Sequence, residues 1–104
     1  MLIWQRNKAA IGFEETKRLP QAYLNLADNY NQKGQYVNAA ECYRRALQIN
    51  DSLGKIVRPD LIYNGLAMSY INISAFEDAE KNLDKAKESL SQMSSYDKYI
   101  LYNN

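Results

Sequence analysis

Histidine is missing from this chain of 104 residues, cysteine occurs once, and neither sign of charge dominates. Without histidine the commonest general base and the commonest metal ligand are both lacking, which excludes a Ser-His or Cys-His nucleophile built from these residues. The single cysteine, Cys42, closes no intramolecular disulfide and forms no thiolate zinc site. It stands beside Tyr43, where a small apolar packing residue is expected rather than a reactive thiol, and it leaves the compartment open between cytoplasm and periplasm. Thirteen Lys and Arg against twelve Asp and Glu leave a formal charge of +1, and the densest basic candidates, Lys17-Arg18 and Arg44-Arg45, are pairs only. Counterion release on nucleic acid wants clusters, so no direct nucleic-acid binding is expected. No apolar run approaches the roughly 18 residues that a membrane-spanning helix needs. The adjacent acids Glu14-Glu15 and Glu77-Asp78 would point about 100° apart on a helix, so they share no site as a catalytic dyad must. The four glycines stand apart from one another, with no phosphate-cradling arrangement among them. These absences predict no catalytic residue, no metal and no cofactor, and they disfavour an enzyme.

Proline and glycine are scarce as well, at two and four, while 46% of the residues are apolar, which argues against disorder and for a single folded domain. What fills the chain is a repeat. Tyr23, Leu26, Ala27, Tyr30, Ala39, Tyr43 and Ala46 correspond in chemistry to Tyr63, Leu66, Ala67, Tyr70, Ala79, Leu83 and Ala86, every pair offset by 40 residues. Such an offset marks hairpins stacked in a row, each burying its apolar stripe against its neighbours. Within a copy, Tyr23, Leu26, Ala27 and Tyr30 recur at intervals of three and four, as do Ala39, Tyr43 and Ala46, so each set lies on one helical face. Lys33-Gly34-Gln35 between them reads as a helix stop and a turn. The two helices are therefore expected to form an antiparallel hairpin, with Ala27 facing Ala39 and Ala46 so that the axes come close. The second copy repeats the arrangement, with Ser74 in the place of Gly34 and Phe76 in the place of Tyr36.

The order aromatic, Leu, small, Tyr, Gly-x-aromatic, Ala, aromatic, Ala in the first copy resembles the tetratricopeptide repeat, and the second copy departs from it at Ser74 and Leu83. That repeat usually has a period of about 34 residues. The extra residues here are expected to lengthen the second helix and the loop Asn50 to Pro59, as in long-period arrays of bacterial sensor kinases and transcription regulators. The resemblance implies an all-α solenoid of stacked antiparallel hairpins with about five or six helices. Its expected parts are a partial repeat over 2–18, repeats over 20–51 and 60–91, and a third that starts at 95–104 and breaks off. On this reading the chain is a piece of something longer, and either its terminal helices associate with other copies or its last segment folds back on the second hairpin.

The resemblance further implies a concave groove lined by the first helix of each hairpin. Its positions fall on Gln21, Leu24, Asn25, Asp28, Asn31 and Gln32 in the first repeat, and on Leu61, Asn64, Gly65, Met68, Ile71 and Asn72 in the second. The Lys and Arg with which some relatives hold a terminal carboxylate do not occur among these positions, where Asp28 is the only charge. Amides able to bond a main chain, beside Leu24, Leu61, Met68 and Ile71, suit a neutral or mildly basic peptide or an amphipathic helix. Gly65 is expected in mid-helix, where it costs about 1 kcal/mol relative to Ala. Close packing and an opening for a ligand backbone are its two explanations. The function implied is non-catalytic binding of a protein or peptide, in the sensory or assembly region of a larger bacterial protein. The alternative is the sensor region of a transcription regulator or histidine kinase that acts on an attached DNA-binding or kinase module.

Overall fold

The computed structural model describes residues 15–92. Four α-helices fall within them: α1 Leu19–Gln32, α2 Tyr36–Ser52, α3 Pro59–Asn72 and α4 Phe76–Ser91. No strand occurs among the described residues. Over the described residues the fold is all-helical and built from two antiparallel hairpins, four helices where five or six are expected of the whole chain. The further expected helices fall in residues 2–18 and 95–104, which lie wholly or mostly outside the described residues.

Local chemistry sets where each helix begins and ends. Proline stands in the first turn of α1 and of α3, as Pro20 and Pro59, where its missing N–H is no loss and its fixed φ suits the helix. Arg58, just before Pro59, is held extended at φ −60° and ψ 117° as the proline ring demands. Arg58 also grips Asp60 with two hydrogen bonds, from Nε to Oδ1 at 3.1 Å and from Nη2 to Oδ2 at 2.7 Å. Asp60 is 4% exposed, and its carboxylate in the first turn of α3 favours the positive end of that helix.

Three helices stop by one hydrogen-bond pattern. At the end of α1, the N–H of Gln35 donates to the carbonyl of Tyr30 (2.9 Å) and that of Gly34 donates to Asn31 (3.1 Å). This doubly bonded reversal requires a left-handed residue, and Gly34 supplies it at φ +78°. At the end of α3, Ala75 bonds Tyr70 and Ser74 bonds Ile71 in the same way, but the left-handed residue is Ser74 at φ +63°. A serine there bears the clash of Cβ with the next carbonyl that glycine avoids. At the end of α2, Lys55 bonds Asn50 and Gly54 bonds Asp51, with Gly54 at φ +81°.

The hairpins pack as a row. α1 packs mainly on α2, α3 on α4, and α2 on α3, while α1 meets α3 along a narrow strip. Ala27, Ala39 and Ala46 are fully buried, so the α1–α2 crossing is built on small residues. The core runs on into the second hairpin, because Ile62 and Leu66 of α3 join Leu24, Ala40, Cys42 and Tyr43 in one apolar cluster. Tyr43 is its largest fully buried side chain, at 1% exposed. Leu26, the counterpart of Leu66 in the first hairpin, is instead 42% exposed.

The connection between hairpins is pinned from inside. Asn50, fully buried at the end of α2, donates from Nδ2 to the carbonyl of Val57 at 2.8 Å and accepts from the N–H of Val57 at 2.9 Å. One side chain thereby satisfies both polar groups of a loop residue, in a region where unpaired backbone groups would be costly. Among the described residues, every buried polar side-chain atom has a hydrogen-bond partner.

Candidate functional site

Where α1 runs beside α3, the surface dips into an open groove of about 420 Å³. Asp28, Asn31 and Gln32 line it from α1, Leu61, Asn64, Gly65 and Met68 from α3, and Tyr43 rises into it from α2. Seven of these residues are ones that the sequence assigns to a groove. Tyr43 is the addition, and its exposure explains why pattern reading assigns it to the core alone: the ring is buried and only the hydroxyl reaches the polar floor.

That hydroxyl organises the site. Tyr43 Oη donates a short hydrogen bond to Asp28 Oδ1 and accepts one from Asn31 Nδ2 at 3.1 Å. Burial first, and then the bond to the Asp28 carboxylate, holds the phenol well above its ordinary pKa, so Tyr43 stays neutral and keeps donating. Asn31 is the bridge between hairpins. Its Oδ1 accepts from Ser69 Oγ at 2.8 Å, and its Nδ2 also reaches the carbonyl of Gly65 at 3.5 Å. Ser69 is fully buried, and its single hydroxyl proton is shared between Asn31 and the carbonyl of Gly65, which lies 3.2 Å from Oγ. Asn31 thus spends its amide inside the protein, where the sequence suggests that it would serve a ligand.

Gly65 is explained by the same tyrosine. A Cβ built on it would lie 2.7 Å from Tyr43 Oη and closer still to the ring carbons Cζ and Cε1. Of the two roles open in the sequence, close packing accounts for this glycine. The ring fills the space beside α3 where any side chain would stand.

The remaining candidates divide. Leu24 is 7% exposed and belongs to the core cluster. Gln21 and Asn25 are exposed and bond each other, Nε2 to Oδ1 at 2.9 Å. Asn72 bonds the carbonyl of Met68 on its own helix at 2.9 Å. Ile71 is 42% exposed and lies beyond the groove's lining. Gln32 and Asn64, facing the groove from opposite helices, make no side-chain hydrogen bond among the described residues. Their amides are open to a ligand.

A second hollow, of about 670 Å³, runs along α2 between Glu41, Arg44, Arg45, Leu47, Gln48 and Asp51. Its charges are mixed and partly spent: Arg44 meets Glu41 at 2.7 Å and donates from Nη1 to Tyr70 Oη at 2.7 Å. Cys42 on the same helix is buried, and burial foremost, with Glu41 adding, raises its thiol pKa, which suits packing and not reactivity. Among the described residues no group of acids and cysteines is arranged to hold a metal ion, and no helix is long and apolar enough to cross a membrane.

Residues 20–53, which comprise the first hairpin from Pro20 of α1 to the end of α2, match the family model of the tetratricopeptide repeat. This hairpin is a tetratricopeptide repeat. No curated protein and no solved structure matches the chain. Tetratricopeptide repeats generally mediate protein–protein interaction as non-catalytic scaffolds, and the all-helical hairpin architecture described above is the one such repeats build.

Proposed function

We propose that this protein is a non-catalytic scaffold that holds an extended segment of a partner protein in the groove between α1 and α3. One observation carries this reading. The groove joins two amides with open hydrogen-bonding capacity, Gln32 and Asn64, to apolar side chains that are exposed and stand clear of the core, Leu61 at 45% and Met68 at 54%. An extended chain offers an N–H and a carbonyl at each residue and alternates its side chains, which is what amides beside apolar patches recognise. The floor below is rigid, because Tyr43, Asn31 and Ser69 are bonded to one another and to the backbone of α3. A preformed floor lowers the ordering cost of binding. The protein would do this as the sensory or assembly region of a larger bacterial protein, the setting that its long repeat period suggests.

Selection of binders from a random heptapeptide phage library, with calorimetry on the peptides recovered, tests the groove. Asn64→Ala and Met68→Ala should each weaken binding about tenfold with little change in thermal stability, since both side chains are exposed. Equal affinity in the wild type and both variants would place the ligand elsewhere.

A further inference from the structure

Among the eight residues that line the groove, Asp28 is the only one that carries charge. It is exposed, and no Lys or Arg among the described residues pairs with it. Its position is not left to chance, however. One carboxylate oxygen receives the Tyr43 hydroxyl, which Asn31 steadies from the other side. A surface aspartate normally wanders among rotamers, and this one is tethered by a ring that is 1% exposed. A carboxylate held still beside an apolar wall has lost part of the entropy that makes most surface ion pairs weak.

The groove changes character along its length. One repeat later, the position of Asp28 is taken by Met68 and that of Asn31 by Ile71, which are 54% and 42% exposed. The first repeat thus offers an anchored negative charge, and the second offers thioether and aliphatic surface. Lysine and arginine match the junction, because their methylene stems lie along apolar side chains while the head reaches a carboxylate. Met68 adds a flexible contact that adjusts to either stem.

We infer that the groove selects a segment carrying a lysine or arginine close to an aliphatic residue, with the cationic head on Asp28 and the aliphatic side chain against Met68. This rests on the groove reading above and adds to it the sign of the partner's charge and the direction in which the segment lies. Asp28 is the specificity-determining residue, and Tyr43 and Asn31 are its positioning residues.

The same heptapeptide selection, read by sequence, tests the inference on the intact chain. Recovered peptides should be enriched in Lys or Arg at one position with an aliphatic residue nearby, and replacing that Lys or Arg by norleucine should raise Kd about tenfold, the worth of a charge-assisted hydrogen bond. Asp28→Asn keeps an oxygen acceptor for Tyr43. It should bind the cationic peptide about tenfold more weakly and the norleucine peptide as the wild type does, while raising ionic strength should weaken only the former. Binders without cationic enrichment, or equal affinity of wild type and Asp28→Asn for the cationic peptide, would overturn the charge selection and leave the groove reading standing on Asn64 and Met68. Recovery of no binders at all would overturn both.

Discussion

Replacing Gly65 by alanine should destabilise this protein although alanine is the better helix former. The substitution sets a methyl group 2.7 Å from Tyr43 Oη and closer to the ring carbons, so the ring or α3 must move. Overpacking of a formed core costs about 1–3 kcal/mol. The ring is 1% exposed and its hydroxyl is bonded to both Asp28 and Asn31, so a retreat would break those bonds, and the cost belongs near the upper end, about 3 kcal/mol. Against this stands the gain of about 1 kcal/mol that alanine has over glycine inside a helix. The balance is a loss of about 2 kcal/mol, or roughly 9 °C in Tm for a chain of this size. A double-mutant cycle separates the two contributions. Tyr43→Leu removes the atoms that Cβ would strike, and the second repeat already carries leucine at this place, as Leu83. In the Tyr43→Leu background, Gly65→Ala should therefore change sign and stabilise by about 1 kcal/mol. Thermal melts followed by circular dichroism read all four proteins. Equal destabilisation by Gly65→Ala in both backgrounds, or none in the wild type, would refute the ring contact as the reason for glycine.

The turns give a pair of opposite signs: Ser74→Gly relieves a left-handed serine and should stabilise by about 0.5–1 kcal/mol, whereas Gly34→Ala imposes the same strain and should cost about 1 kcal/mol. Melts of both variants that shift in the same direction would show that the left-handed conformation is not what limits these ends. Asn50→Ala leaves the N–H and carbonyl of Val57 without their partner in a partly buried loop and should cost about 2 kcal/mol in urea unfolding, with faster amide exchange at Val57. An unchanged midpoint would mean that the loop between the hairpins is held by other contacts.

Much of this fold can be read from periodicity, because the residues that build it repeat by spacing. Ala27, Ala39, Ala46, Ala67, Ala79 and Ala86 are all buried, and each is singled out by its place in the 40-residue pattern. Spacing also assigns Leu26 to the inner face, yet it is 42% exposed, and Leu24, assigned to the groove, is 7% exposed. Residues two apart on a helix point about 200° apart, so the face that α1 turns inward carries Leu24 and leaves Leu26 outside it. The polar floor is less legible. Asn31 looks like any groove amide until its partners are known, and those partners are 12 and 38 residues away at Tyr43 and Ser69. Hydrogen bonds between helices leave no period in a sequence. Asn50 is a similar case: a single polar residue at a helix end gives no sign that it is fully buried and bonded to a loop seven residues on. Only Gly65 offers a signal, since a glycine in mid-helix asks for a reason.

Tyr43 ties the groove to the core, and the second repeat, which lacks that tyrosine, lacks the polar floor as well. There Leu83 replaces the tyrosine, Met68 the aspartate and Ile71 the asparagine, so the phenol, the acid it anchors and the amide that steadies it are all lost together. The physical reason is local. A carboxylate at position 68 would have no phenol to bond, and an amide at 71 would have no hydroxyl to steady, so apolar side chains are the less costly occupants. Leu83 is 43% exposed where Tyr43 is 1%, because Tyr43 is covered by Gly65 and α3 of the following hairpin. The phenol, acid and amide of this floor all belong to the first hairpin, and Ser69 and the Gly65 carbonyl of the second close it through Asn31. A ligand seated across Asp28 of α1 and Met68 of α3 would contact both hairpins, and binding should slow their separation as well as stabilise each fold. Amide exchange should show this as protection in α1 and α3 together, with no protection confined to one of them.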